Sequence, residues 1–170
     1  APRSADPLRA LPGPSCCPPG THRPDGTRAR PQLLYSTWGR RDGDSAFPER
    51  YPDFETMNRL TTEGYELYRD VLDAPPQLEA AIAPAGAAFA EVHGDHLPSF
   101  RSLYDPDGSH PSLQGSYMVS CVVYSALTGW YSAGMPFAPP GIAEGEREYC
   151  ARIHGLSCLC RLSLCRLPPG

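Results

Sequence analysis

Apolar residues recur at helical spacing through Phe54, Met57, Leu60, Gly64, Tyr65, Tyr68, Val71 and Leu72. That spacing puts them on one buried face and predicts an amphipathic helix over 54–72. Asp53 is a suitable N-cap, and Pro75-Pro76 stops the helix. Upstream, Gln32-Leu33-Leu34-Tyr35-Ser36-Thr37-Trp38 is short, apolar and β-prone, which predicts a strand. It ends in a polar loop, Gly39 to Asp44, with two turn glycines. Downstream, Leu78 to Ala83 is a second apolar strand closed by Pro84. Gly86 to His93 reads as a short helix with Phe89 inward, and a loop then runs from Pro98 through Gly108. Pro111 suits the first position of a further helix, whose nearly all-apolar run includes Leu113, Tyr117, Met118, Cys121, Val122 and Leu127 and ends at Gly129.

Strands alternating with helices predict α/β layers on a parallel sheet. Two strands are too few to close a sheet core, which points to missing N-terminal strands. On that expectation helix 111–128 keeps an apolar face that nothing covers, and the chain alone is marginally stable.

Composition divides the chain into three parts. Residues 1–31 hold eight Pro and no apolar periodicity, and read as a disordered or poorly packed leader. Residues 32–137 form the ordered portion. Residues 138–170 read as an irregular, Cys-containing tail. The net charge of −4 is distributed unevenly, at about +3, −9 and +2 over residues 1–31, 32–147 and 148–170. An acidic body argues against nucleic acid as a partner. No run of roughly 18 apolar residues predicts a membrane-spanning helix. All 15 basic residues are Arg and Asn58 is the only Asn, a pattern taken as coding bias without mechanistic meaning.

The densest chemistry lies in Tyr104-Asp105-Pro106-Asp107-Gly108-Ser109-His110-Pro111-Ser112, with Gly115-Ser116-Tyr117 following. A serine hydrolase needs a base to take the hydroxyl proton and an acid to orient that base. Asp107 and His110, three residues apart on a glycine-containing turn, can supply both. By itself an Asp-x-x-His spacing is weak and also fits a plain turn before a helix.

The block Asp107 to Ser112, then Gly115 and Tyr117, is similar to the last motif of SGNH-type (GDSL-type) hydrolases. Tyr35-Ser36-Thr37-Trp38-Gly39-Arg40-Arg41-Asp42-Gly43-Asp44 resembles a segment of one branch of that superfamily. A helix like 51–72 and a segment like Ala83-Pro84-Ala85-Gly86 follow there in the same order. The resemblance covers residues 32–137. It implies a partial flavodoxin-like α/β/α sandwich with a parallel sheet, and catalytic roles for Asp107 and His110. It also implies a small acyl ester or acylated carbohydrate as substrate, with no cofactor.

The nucleophile block of that family, and its oxyanion Gly and Asn blocks, are not recognisable before Trp38. Gly43-Asp44-Ser45 spells the nucleophile motif, but no apolar strand precedes it and Phe47-Pro48 follows in place of a helix start. It reads as a solvated loop. Trp38, Arg40 and Arg41 follow a strand's C-terminal end, the edge that faces the ligand crevice in open α/β sheets. They either shape a substrate pocket or form a surface loop in which the arginines meet Asp42 and Asp44.

The cysteines Cys150, Cys158, Cys160 and Cys165 lack the paired spacing of structural zinc sites. Cys121 reads as a core thiol, and no metal ligand is assigned. Three functions remain in play. They are a serine ester hydrolase whose nucleophile this chain lacks, a non-catalytic remnant or interaction fragment of that fold, and a Cys-rich metal-binding module.

Overall fold

The computed structural model describes residues 30–73, 78–95, 97–128, 132 and 137–159. In chain order the elements are β1 (Arg30–Ser36), α1 (Phe54–Asp73), β2 (Leu78–Pro84), α2 (Ala85–Asp95), α3 (Leu97–Ser102), α4 (Leu113–Thr128) and α5 (Glu144–Leu159). The leader through residue 29, the Pro75-Pro76 stop and the Gly129 stop lie outside the described residues.

The fold is α/β. β1 and β2 pair in parallel, in a register running from Arg30 opposite Leu78 to Ser36 opposite Pro84. α1 is the crossover between them. Its start follows the cap expected from sequence, since the Asp53 carboxylate accepts the Thr56 N–H at 2.7 Å. Pro84 ends β2, and α2 begins at the next residue.

The core lies mainly among helices. Phe89 and Val92 of α2, Met118, Cys121 and Val122 of α4, and Cys150 and Ile153 of α5 are all buried, with Leu103 between them. An aromatic chain extends this core toward the sheet. Trp38 stacks on Phe89 with centroids 4.5 Å apart, Phe89 meets Tyr104 edge-on at 5.2 Å, and Phe100 joins Tyr104 to Phe54.

Four expectations are corrected. First, α4 is covered on the side that carries Tyr117, Met118, Val119, Cys121 and Val122, which is buried with α2 and α5 packed on the helix, while Leu113, Tyr124 and Leu127 on its other side stay exposed. A further exposed apolar stripe lies on α1, where Leu67, Tyr68 and Val71 are 69%, 58% and 67% exposed. The helical spacing placed Tyr68 and Val71 on a buried face, and the structure leaves that end of the face exposed, because periodicity does not say what covers it. Second, Pro111 stands outside α4. It bridges Tyr104 across a hairpin, and Ser112 is the cap, its hydroxyl accepting the Gly115 N–H at 3.2 Å. Third, the expected loop from Pro98 starts with a short helix, α3. Fourth, the tail is not irregular over Glu144–Leu159. There Glu146 reaches back to the Ala143 N–H at 2.9 Å as a helix cap, and Cys150 and Ile153 fill the core.

One buried amide joins three segments. Asn58, in the second turn of α1, accepts the Gly39 N–H and donates to the Gly86 carbonyl, each at 3.0 Å. The backbones approach so closely that both partners must be glycine. A Cβ on Gly39 would stand 2.7 Å from the Phe54 carbonyl oxygen, and one on Gly86 would stand 2.7 Å from that of Thr37. Asn58→Ala leaves a buried N–H and a buried carbonyl without partners, at about 1–3 kcal/mol each. Chemical denaturation of this variant is expected to show a loss of about 2–5 kcal/mol. A loss below about 0.5 kcal/mol, the range of an ordinary surface substitution, would mean that the amide is not a clamp.

Candidate catalytic hairpin

The chain leaves α3 and turns back through a tight hairpin before α4. Ser112 N–H donates to the Leu103 carbonyl and Asp105 N–H to the His110 carbonyl, each at 2.9 Å. Gly108 N–H returns to the Asp105 carbonyl at 2.9 Å, closing a turn with Pro106 at its second position. Gly108 has φ +67°, a conformation that favours glycine. Gly115 is needed at the base, since a Cβ there would collide with the Leu103 carbonyl.

The turn holds the Asp107 carboxylate from two sides. One oxygen accepts the Ser109 and His110 backbone N–H groups at 2.9 and 3.0 Å. The other lies 2.5 Å from His110 Nδ1. The hydrogen bond from His110, followed by the two backbone donors, holds the carboxyl well below the usual carboxylate range. The same bond raises the His110 pKa, with Asp107 and then Asp105 adding charge attraction while slight desolvation and Arg40 oppose it. Nδ1 is therefore committed to Asp107, and Nε2 is left for chemistry. Both side chains reach solvent, His110 at 77% and Asp107 at 48% exposure.

The loop after β1 supports the hairpin from beneath. Trp38 Nε1–H donates to the Ser109 carbonyl at 3.3 Å, and Arg41 N–H donates to that of Gly108 at 2.8 Å. In the opposite direction the buried Tyr104 hydroxyl donates to the Gly39 carbonyl at 2.7 Å. Burial pushes the Tyr104 phenol far up, so it remains a donor. Gly39 is thus held by Tyr104 at its carbonyl and by Asn58 at its N–H.

Each residue singled out from sequence has a definite place. Asp107 and His110 are joined. Trp38 is half-buried against Phe89, with its indole N–H on the hairpin. Arg41 pairs with Asp42 at 2.8 Å and lies beneath Gly108. Arg40 pairs with Asp44 at 2.7 Å, remains partly exposed, and is close enough to act on His110 electrostatically. Ser45 is exposed in a turn where Asp44 accepts the Ala46 N–H at 3.0 Å. Among the described residues, no hydroxyl or thiol bonds to His110 Nε2. Sequence reading missed Asn58 and Tyr104. The signal was the single Asn of the chain.

Cys121 and Cys150 are buried free thiols, both raised in pKa chiefly by burial, Cys150 to about 12. They therefore stay protonated core groups. Among the described residues, no group of three or more His, Cys, Asp or Glu is placed to hold a metal ion. Two open clefts lie away from the pair. One of about 410 Å³ is lined by Ser99, Ser102, Gln114, Glu146 and Tyr149 among others, and one of about 330 Å³ by residues of α1.

The Asp107–His110 bond favours the imidazolium. What it adds to hairpin stability is fully present below the ordinary histidine pKa, and it fades as pH rises through the raised value. On the Asp107 side it is present above the ordinary carboxylate pKa, and it fades as pH falls through the depressed value. NMR titration of His110 is expected to show a midpoint above the ordinary value of about 6.5. Asp107→Asn should move that midpoint down. An unchanged or rising midpoint in the variant would contradict the pairing.

No family model matches the chain, and no curated protein sequence matches it. A solved structure, a DUF4886 family protein from Bacteroides uniformis, is similar with a TM-score of 0.60 and 19% sequence identity. The match covers 75% of this chain and 47% of that one, so the chain spans about half the length of that relative. At that identity the likeness concerns the fold alone, an α/β arrangement.

Proposed function

We propose that the Asp105–Ser112 hairpin is the acid–base half of an SGNH-type serine ester hydrolase acting on a small acyl ester or acylated carbohydrate. The observation that carries this reading is the state of the Asp107–His110 pair. Asp107 is fixed by two backbone N–H groups and by Nδ1, so the exposed imidazole is oriented and its Nε2 is left to act as a base. In acyl transfer, Nε2 takes the proton from the attacking hydroxyl and returns it to the leaving alcohol. Asp107 stabilises the imidazolium between those two transfers. The resemblance of residues 107–117 to the final SGNH motif supports this assignment, and the α/β likeness of the solved relative is compatible with it.

On this reading Trp38 and Arg41 are positioning residues that act through the hairpin backbone. Arg40, partly exposed and electrostatically coupled to His110, is the substrate-side candidate of the three. The nucleophile and the oxyanion donors belong to residues other than those described. Without them a hydrolase loses its covalent route. Loss of a single oxyanion donor alone costs about 10²–10³ in rate.

A second reading, a non-catalytic interaction fragment, is favoured by one observation. His110 Nε2 has no hydroxyl beside it among the described residues, and the pair lines neither described cleft.

Hydrolysis of an activated acetyl ester, together with labelling by a serine-directed phosphonate, tests the proposal. The 170-residue chain is expected to be essentially inactive and unlabelled. A longer chain carrying an apolar strand followed by Gly-Asp-Ser or Gly-Asn-Ser should be labelled, and His110→Ala should abolish that labelling. Labelling of Ser45 in the short chain, lost in His110→Ala, would overturn the dismissal of Gly43-Asp44-Ser45. An active longer chain indifferent to His110→Ala would overturn the catalytic assignment itself.

A further inference from the structure

α1 carries an apolar stripe that no other described element covers. Leu60, Thr61, Gly64, Tyr65 and Tyr68 line a cleft of about 330 Å³, and exposed Leu67 and Val71 extend the apolar surface toward the helix C-terminus. Tyr35 of β1 is also exposed, and its phenol is raised by burial and then by the neighbouring Tyr65, which brings it to the same margin. Gly64 has open space above its Cα. The groove is thus a shallow, open, tyrosine-lined cleft along α1. Aromatic grooves of this kind receive polyproline segments, which arrive already extended and lose little entropy on docking.

We propose that this groove is a polyproline docking surface, and that its occupant is the Pro/Arg-rich segment 1–29 of the same chain. Three observations select that occupant. The first is where the segment enters. Arg30 pairs with Leu78 at one end of the sheet, and α1 ends at Asp73, five residues before Leu78. Five residues span at most about 18 Å, so segment 1–29 joins the fold beside the C-terminal end of the stripe. The second is length. From Val71 back to Leu60 the helix rises about 17 Å, which about six polyproline residues cover at 3.1 Å each. The segment has 29 residues and seven Pro, among them Pro12, Pro14, Pro18 and Pro19. The third is charge. α1 carries five acids against two Arg, whereas residues 1–29 carry four Arg against two Asp. A second copy would place one acidic helix against another, which disfavours it as occupant.

Limited trypsin digestion of the full chain reads this out at Arg9-Ala10 and Arg28-Ala29, against Tyr68→Ser, with Leu127→Ser on α4 as the control at an equally exposed site. When reclosing is fast, cleavage tracks the undocked population, so the Tyr68→Ser chain is expected to be cut about tenfold faster at both bonds. Leu127→Ser should match the wild type, and circular dichroism should show the same helix content in all three chains. Equal cutting of wild type and Tyr68→Ser would overturn the proposal. Protection that disappears on dilution would also overturn it, by assigning the groove to a second copy.

Discussion

Asn58 holds together the parts of this fold that matter for chemistry. Its amide is buried and spends its acceptor on Gly39 and a donor on Gly86, fixing the loop after β1 against the start of α2. Gly39 then accepts the Tyr104 hydroxyl, and Tyr104 opens the hairpin that carries Asp107 and His110. Four segments distant in sequence are thus aligned through a short series of buried hydrogen bonds. Each is costly to break, because the groups left behind cannot reach water.

This arrangement explains how an exposed Asp/His pair can be well oriented. The pair takes no rigidity from burial. Its order comes from below, where the Ser109 and Gly108 carbonyls accept from Trp38 and from the Arg41 backbone, and from within, where the turn directs two N–H groups at one carboxylate oxygen. The sheet contributes little to the core. β1 and β2 serve to bring the Thr37–Asp44 loop and the α2 N-terminus to the same edge, the usual place for function in α/β folds. Most apolar packing is done by α2, α4 and α5. α1 is left attached by its first turns, with its later apolar residues outside.

The local elements were largely legible in sequence. Helix α1 followed from a clear 3.6-residue period and its Asp53 cap, and β2 from an apolar run ended by proline. The Asp107/His110 pairing was expected from the resemblance of the block around residues 107–117, since the Asp-x-x-His turn alone also fits a plain turn before a helix. What was not legible depended on tertiary partners. The period of α1 marks an apolar face but cannot say whether anything packs there, so the exposed stripe of Tyr68 and Val71 was expected to be buried. α5 was read as irregular although Tyr149, Cys150, Ile153 and Leu156 recur at helical spacing, and its Cys150 and Ile153 are buried where α5 packs on α2 and α4. Pro111 satisfies the rule for a first helical residue, yet its pairing with Tyr104 moves the cap to Ser112. Trp38 and Arg41 were expected either at a substrate pocket or on a surface loop. Their backbone partners on the hairpin lie about 70 residues away in sequence, beyond any local pattern.

The hairpin fixes His110 with Nδ1 on Asp107, which leaves Nε2 free to act as a base. Long-range proton–nitrogen correlation NMR on the full chain, recorded above the His110 pKa, reads the tautomer directly. Neutral His110 is expected to carry its proton on Nδ1, opposite to the preference of an unconstrained histidine, and Asp107→Asn is expected to weaken that preference. A proton on Nε2 in the unsubstituted chain would contradict this assignment, because the imidazole would then present no base to a substrate.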